Sequence, residues 1–176
     1  MIDFSQDHFA LFGLMPRYRL DHGRLDAAYR RLQSEVHPDR HASAAEAERR
    51  LALQSSARVN EAYRALKNPV DRAQYLLSLN GIDALSETDT ALPEEFLEHQ
   101  LTRREAVSDA VDKGDSEALV RLHSEAQAEM RELDSVLESE LDKAHELRAA
   151  STTVRKFKFL SKLAADIESA IADLEG

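Results

Sequence analysis

The 176-residue sequence contains no cysteine and no tryptophan, and only five glycines and four prolines. Without cysteine, the chain alone can form no disulfide, carries no thiol nucleophile and offers no thiolate ligand for zinc or an iron–sulfur cluster. Glycine and proline are too scarce to supply the frequent turns of an all-β chain. The longest apolar run, Phe9 to Met15 with Gly13 counted in, is far too short to span a bilayer. Met1-Ile2-Asp3-Phe4 is not a basic stretch leading into an apolar one, so no secretory signal is expected and a cytoplasmic location fits best. Membrane, disulfide-scaffold and fibrous classes are excluded. What is present is a foldable mixture, 43% apolar and 32% charged.

Charge divides the chain. The whole carries 33 acidic and 23 basic residues, net −10. Residues 1–80 hold 12 basic and 10 acidic side chains, 11 of the basic ones arginine, whereas residues 81–176 hold 11 and 23. Such asymmetry predicts two modules with different partners. Residues 81–92 show little periodicity and are expected to form a linker between modules at 1–80 and 93–176. The overall acidity argues against nucleic acid, which demands a concentrated basic surface.

Hydrophobic periodicity predicts an all-α fold. In the first module, Asp7 precedes the short helix Phe9-Ala10-Leu11-Phe12, closed near Gly13. Asp21 precedes an amphipathic helix with Leu25, Ala28, Tyr29, Leu32 and Val36 on one stripe, ended by Pro38. Ser43-Ala44-Ala45-Glu46 reads as a capping box for a helix through Lys67, with Leu51, Val59, Ala62 and Leu66 inward. Asn68-Pro69 starts a last helix, with Tyr75, Leu76 and Leu79 running up to Gly81. The second module reads as three antiparallel helices. The first opens at Pro93, closes at Gly114 and turns Phe96, Val107 and Val111 inward. The second, from Asp115, spans about 33 residues to Leu147. The third starts near Ser151 with Phe157, Leu160, Ala164, Ile167, Ile171 and Leu174 inward.

Enzyme motifs fail. No two glycines stand close enough for a phosphate loop, and His145-Glu146-Leu147-Arg148-Ala149 lacks the second histidine of a zinc motif. His37 and His41 are separated by Pro38, which prevents a shared helix face. No catalytic residue, metal or cofactor is expected.

One segment carries information: Tyr29-Arg30-Arg31-Leu32 followed by His37-Pro38-Asp39-Arg40. With the apolar stripe inward, Arg30 and Arg31 face outward and the helix ends in a rigid turn, where Asp39 can reach an arginine of a partner. Together with Asn60-Glu61-Ala62-Tyr63-Arg64-Ala65-Leu66 and Arg72-Ala73-x-Tyr75, this pattern resembles a J-domain, the co-chaperone module of the DnaJ family. The resemblance implies a helical hairpin whose His37, Pro38 and Asp39, with Tyr29, Arg30, Arg31 and Arg40, engage a DnaK-type chaperone and trigger its ATP hydrolysis. Asp26 and Glu35 depart from it, since bases often stand there.

Phe9-x-Leu11-Phe12-Gly13-Leu14, Tyr75-Leu76-Leu77-Ser78-Leu79 and Thr153-Val154-Arg155-Lys156-Phe157-Lys158-Phe159-Leu160 further resemble the HscB-type co-chaperones. That likeness implies an HscA-like chaperone and an IscU-like iron–sulfur cluster scaffold protein as partners. On the helix after Pro93, Leu97 and Leu101 lie off the core stripe beside Glu98, Thr102, Glu105 and Asp109, and Phe159 lies off the stripe of its own helix. An apolar centre with a charged rim is the pattern of a protein-binding face. The HscB resemblance makes Leu97, Leu101, Glu105, Asp109 and Phe159 the scaffold-binding residues, with Glu98 and Thr102 as departures. A J-domain adaptor serving another client, and a helical scaffold without chaperone function, are the alternatives.

Overall fold

Asp7 accepts a hydrogen bond from the Ala10 amide (2.8 Å) and starts α1, His8–Leu11; Asp21 does the same for the Arg24 amide (3.0 Å) and starts α2, His22–Val36. Such caps satisfy otherwise orphaned donors and each contribute about 1 kcal/mol. α2 ends at Val36 because His37, preceding proline, is held extended at ψ 128°. The computed structural model describes residues 3–37, 45–86 and 91–175. Pro38, Asp39, Arg40 and Ser43 therefore lie outside the described residues.

α3 spans Glu46–Lys67 with Ala45 as its N-cap, and the Ser43 of the expected capping box lies outside the described residues. Glu46 and Glu48 in its first turn complement the helix dipole. Asn68 accepts from the Val70 and Asp71 amides and starts α4, Pro69–Leu79. In this helix Leu76 is buried, and so is Leu77, whereas Leu79 is exposed.

The chain forms two compact units, residues 1–76 and 77–176, and no strand occurs among the described residues. In the first, α2 and α3 pack as a hairpin and α1 lies against α3. Leu25, Val59, Ala62 and Leu66 are fully buried, a leucine of this kind contributing about 1.5–3 kcal/mol. Arg72 is buried too: its guanidinium donates to the Leu66 carbonyl at the end of α3 (2.7 Å) and stacks over the Tyr18 ring (4.8 Å). His8 stacks on Tyr75 at 4.0 Å, and its backbone amide donates to the Tyr75 hydroxyl.

The second unit contains α5, Glu94–Asp112, α6, Ser116–Glu138, and α7, Leu147–Glu175. Pro93 is the N-cap of α5 rather than its first residue. Gly114 takes the left-handed conformation (φ +63°) and Asp115 caps α6 through the Ala118 amide. The expected 33-residue helix is not continuous. α6 stops after 23 residues and passes into a π-helical turn, Ser139–Ala144. The chain then reverses at His145, left-handed at φ +54°, so α7 begins at Leu147, ahead of Ser151. No glycine or proline marks this turn; histidine is among the few residues that tolerate it. Leu119, Leu137, Leu160 and Ile167 are fully buried between α6 and α7, whereas Val111 and Leu174, both expected inward, are 40% and 42% exposed. In the last turn of α5 it is Ala110, one position round from Val111, that packs inward, and Leu174 sits in the last turn of α7.

Candidate partner-binding surfaces

Two surfaces stand out, one in each unit. On α2 the apolar stripe is buried at Leu25, Leu32 and Val36, and this forces Arg24, Arg30 and Arg31 outward. His37 is exposed just past the helix, and Arg30, Gln33, Ser34 and His37 line a shallow cleft of about 340 Å³. Arg31 is held 3.4 Å from Glu35 one turn on, so part of its charge is already compensated. Tyr29 occupies a different setting from the arginines. It is half-buried, stacked on Tyr63 of α3 at 4.0 Å, with its hydroxyl donating to Asn60 (2.9 Å) and accepting from Gln33 (2.9 Å).

Asp26 is likewise engaged inside the hairpin. Lys67 of α3 donates to both its carboxylate oxygens (2.7 and 2.9 Å) and Tyr63 donates a third bond (3.0 Å). The bonds from Lys67 and then Tyr63 hold the Asp26 carboxyl below its usual range, and Asp26 in turn raises Lys67. An acid on a basic helix is here an interhelical clasp, with its charge neutralised where it stands. Only the pairing partner, 41 residues along the chain, distinguishes this from an unfavourable surface charge, and that partner is invisible in a local pattern.

In the second unit, α5 turns Phe96, Gln100, Arg103 and Ala110 inward. Leu97 and Leu101 are 46% and 60% exposed, large apolar side chains in water on successive turns. Glu105 and Asp109 are exposed on the same side, Asp109 within 3.4 Å of Lys113. Glu98 is exposed as well, and Thr102 turns its hydroxyl back to the Glu98 carbonyl (3.2 Å). Phe159 of α7 is half-buried, meeting Phe96 edge-on at 5.8 Å with the Arg104 guanidinium 5.0 Å from its ring centre. Phe159 thus packs on α5 through Phe96 and Arg104, the residues flanking the stretch that carries Leu97 and Leu101. The Arg104 and Lys156 contacts with the aromatic pair, the latter 5.5 Å over Phe96, were not legible from periodicity, which ranks residues as in or out but does not pair rings with cations.

Among the described residues no cluster of His, Asp and Glu could hold a metal ion, and no helix is long and apolar enough to cross a membrane.

These two surfaces coincide with two known domains. A family model described as the DnaJ domain matches residues 7–75, and one described as the HscB C-terminal oligomerisation domain matches residues 92–168. The co-chaperone protein HscB homologue of Azoarcus sp. (strain BH72) is 44% identical over 174 residues, 99% of this chain and 98% of that protein. The solved chaperone HscB from Vibrio cholerae is 35% identical with a TM-score of 0.85, covering 96% of this chain and 99% of its own. Human co-chaperone protein HscB is 26% identical with a TM-score of 0.88, over 95% and 83% of the two chains. With full-length identity at this level and both halves matched, the chain belongs to the HscB family of J-domain co-chaperones.

Proposed function

We propose that the chain stimulates the ATPase of a DnaK-type, HscA-like chaperone in the cytoplasm and delivers to it an IscU-like iron–sulfur cluster scaffold protein, without catalysing a reaction or holding a cofactor itself. In this reading His37, Pro38 and Asp39 form the triggering turn, and Arg30, Arg31 and Arg40 add electrostatic attraction. Tyr29 supports that face through its packing on Tyr63. Leu97, Leu101 and Phe159 form the desolvated centre of the scaffold contact, with Glu105 and Asp109 as its charged rim. The observation that carries the reading is the exposure of Leu97 and Leu101 on a helix that buries other residues against its neighbours. Exposed apolar neighbours on successive turns are costly in a protein that never covers them.

The test is single-turnover ATP hydrolysis by an HscA-like chaperone, with the full-length chain and an IscU-like scaffold added separately and together. Synergistic stimulation is expected. His37→Gln should abolish it while shifting stability by no more than about 0.5 kcal/mol, because an exposed side chain past a helix end has little packing to lose. Stimulation by the chain but no effect of the scaffold would instead favour the adaptor for a different client.

A further inference from the structure

The inward face of α5 is unusual for a bundle helix. At about 100° per residue, Phe96, Gln100, Arg103, Val107 and Ala110 fall on one stripe, and its two middle positions are polar and buried. Arg103 is only 8% exposed. Its guanidinium donates from one nitrogen to Gln100 on its own helix (3.2 Å) and to the Glu129 carboxylate on α6 (2.9 Å), itself largely covered. Apolar contacts between α5 and its neighbours lie at the two ends, through Phe96 with Phe159 and through Ala110 and Val107 with Leu119, Leu163 and Ile167. Between those ends the helix meets its neighbours through the directional, charge-assisted contact of Arg103 with Glu129 and through the Arg104 guanidinium over the Phe159 ring. Leu97 and Leu101 stand on this central stretch, Leu101 beside Gln100 and two residues before Arg103.

We infer that Arg103, through Glu129 and Gln100, is a positioning residue that sets the rotation and register of α5 and thereby the angle at which Leu97 and Leu101 meet the scaffold. Apolar side chains slide past one another at small cost, whereas a buried guanidinium paired with one partly covered carboxylate tolerates neither rotation nor loss of its partner. A leucine at 103 would bury equally well without specifying one orientation. The pair therefore supplies geometry at a site whose own leucines are about half exposed. This rests on the proposed scaffold-binding role of the face.

The test combines amide hydrogen exchange with scaffold affinity on the full-length chain, in Arg103→Met, Arg103→Lys and Glu129→Gln. Exchange should rise across residues 96–108 in Arg103→Met while α6 and α7 stay protected, and affinity for an IscU-like scaffold should fall about fivefold or more. Arg103→Lys should recover part of both, and ATPase stimulation by the chain without scaffold should not change. In a Leu101→Ala background the Arg103→Met loss should largely vanish, because the residue acts through the leucine strip. Glu129→Gln, the milder change, should move both readouts in the same direction. Unchanged exchange in α5, wild-type affinity, or full additivity with Leu101→Ala would overturn the inference, as would loss of protection throughout α6 and α7. If the wild-type chain binds no scaffold, the proposed function fails while exchange across α5 still decides whether the clamp exists.

Discussion

α2 and α5 sort their apolar and charged residues differently. α2 buries Leu25, Leu32 and Val36 and exposes Arg30 and Arg31, while α5 exposes Leu97 and Leu101 and buries Gln100 and Arg103. The first arrangement agrees with the folding optimum, and the face proposed for the chaperone is built from charged residues that would be outside in any case. The second departs from the folding optimum twice, with apolar area left in water and a charge taken out of it. A helix that violates the inside–outside rule in both directions is under a demand other than stability. The two surfaces should consequently respond differently to perturbation, the first to salt and charge, the second to lost apolar area.

The largest effect that separates them is expected from Leu97→Ala combined with Leu101→Ala. Scaffold affinity should drop by more than about tenfold, as for central residues of an interface. Thermal unfolding should hardly move, since both side chains are about half exposed in the free chain and give up little core contact. Stimulation of the chaperone in the absence of scaffold should be unaffected. A large fall in the unfolding midpoint would show the leucines to be core after all and remove the contrast with α2. Phe159→Ala is a less clean probe, because its ring also packs edge-on against Phe96.

A smaller effect tests the other half of the contrast. Arg31→Ala should weaken chaperone binding severalfold at low ionic strength and far less at high salt, because exposed charges are screened over about 10 Å at 0.1 M. Glu35→Gln should act oppositely and more weakly, removing the carboxylate that sits 3.4 Å from the Arg31 guanidinium. Titrating ATPase stimulation against co-chaperone concentration at two salt levels reads both. A salt-independent defect in Arg31→Ala would mean that the side chain supports the helix rather than the contact.

The contrast also explains which parts of the molecule were legible in the sequence. The all-α class, the caps at Asp7, Asp21 and Asp115, and the α2 stripe follow from rules that involve only near neighbours, and the structure bears them out. Leu97 and Leu101 were legible as off-stripe residues for the same reason. The turn at His145 was not, because neither glycine nor proline marks it and the leucine periodicity runs straight through it. Nor were the clasp of Asp26 with Lys67 or the pair of Arg103 with Glu129, which join residues 41 and 26 positions apart. Charge–charge partners between helices leave no periodic trace. Val111 failed because the inward stripe at the end of α5 runs through Ala110 instead, and Leu174 lies in the last turn of α7.

The smallest effect is expected where the turn at His145 stores a conflict. Glu140 lies on the π-helical turn, one carboxylate oxygen accepting from the Thr153 hydroxyl of α7 (3.2 Å) and the other buried without a hydrogen-bond partner. Its backbone carbonyl closes the reversal by accepting from the Glu146 amide (2.8 Å), which fixes the main chain of Glu140 in the turn. Burial raises the Glu140 pKa, the Thr153 bond lowers it in part, the nearby Glu146 charge raises it again, and Lys156 lowers it. A carboxyl whose pKa in the folded chain exceeds its unfolded value favours folding in its protonated form. Its contribution is full below the unfolded pKa and is lost as pH rises through the folded one. At neutral pH the ionised group is therefore a burden on the second unit. Glu140→Gln keeps an acceptor for Thr153 and removes the charge, so it should raise neutral-pH stability by a fraction of about 1 kcal/mol. Thermal unfolding of both proteins across the pH range should show the gain at neutrality shrinking towards acid and vanishing below the ordinary glutamate pKa. A gain of equal size at every pH would instead assign the effect to packing, and a loss at neutrality would mean that the ionised carboxylate holds the turn together.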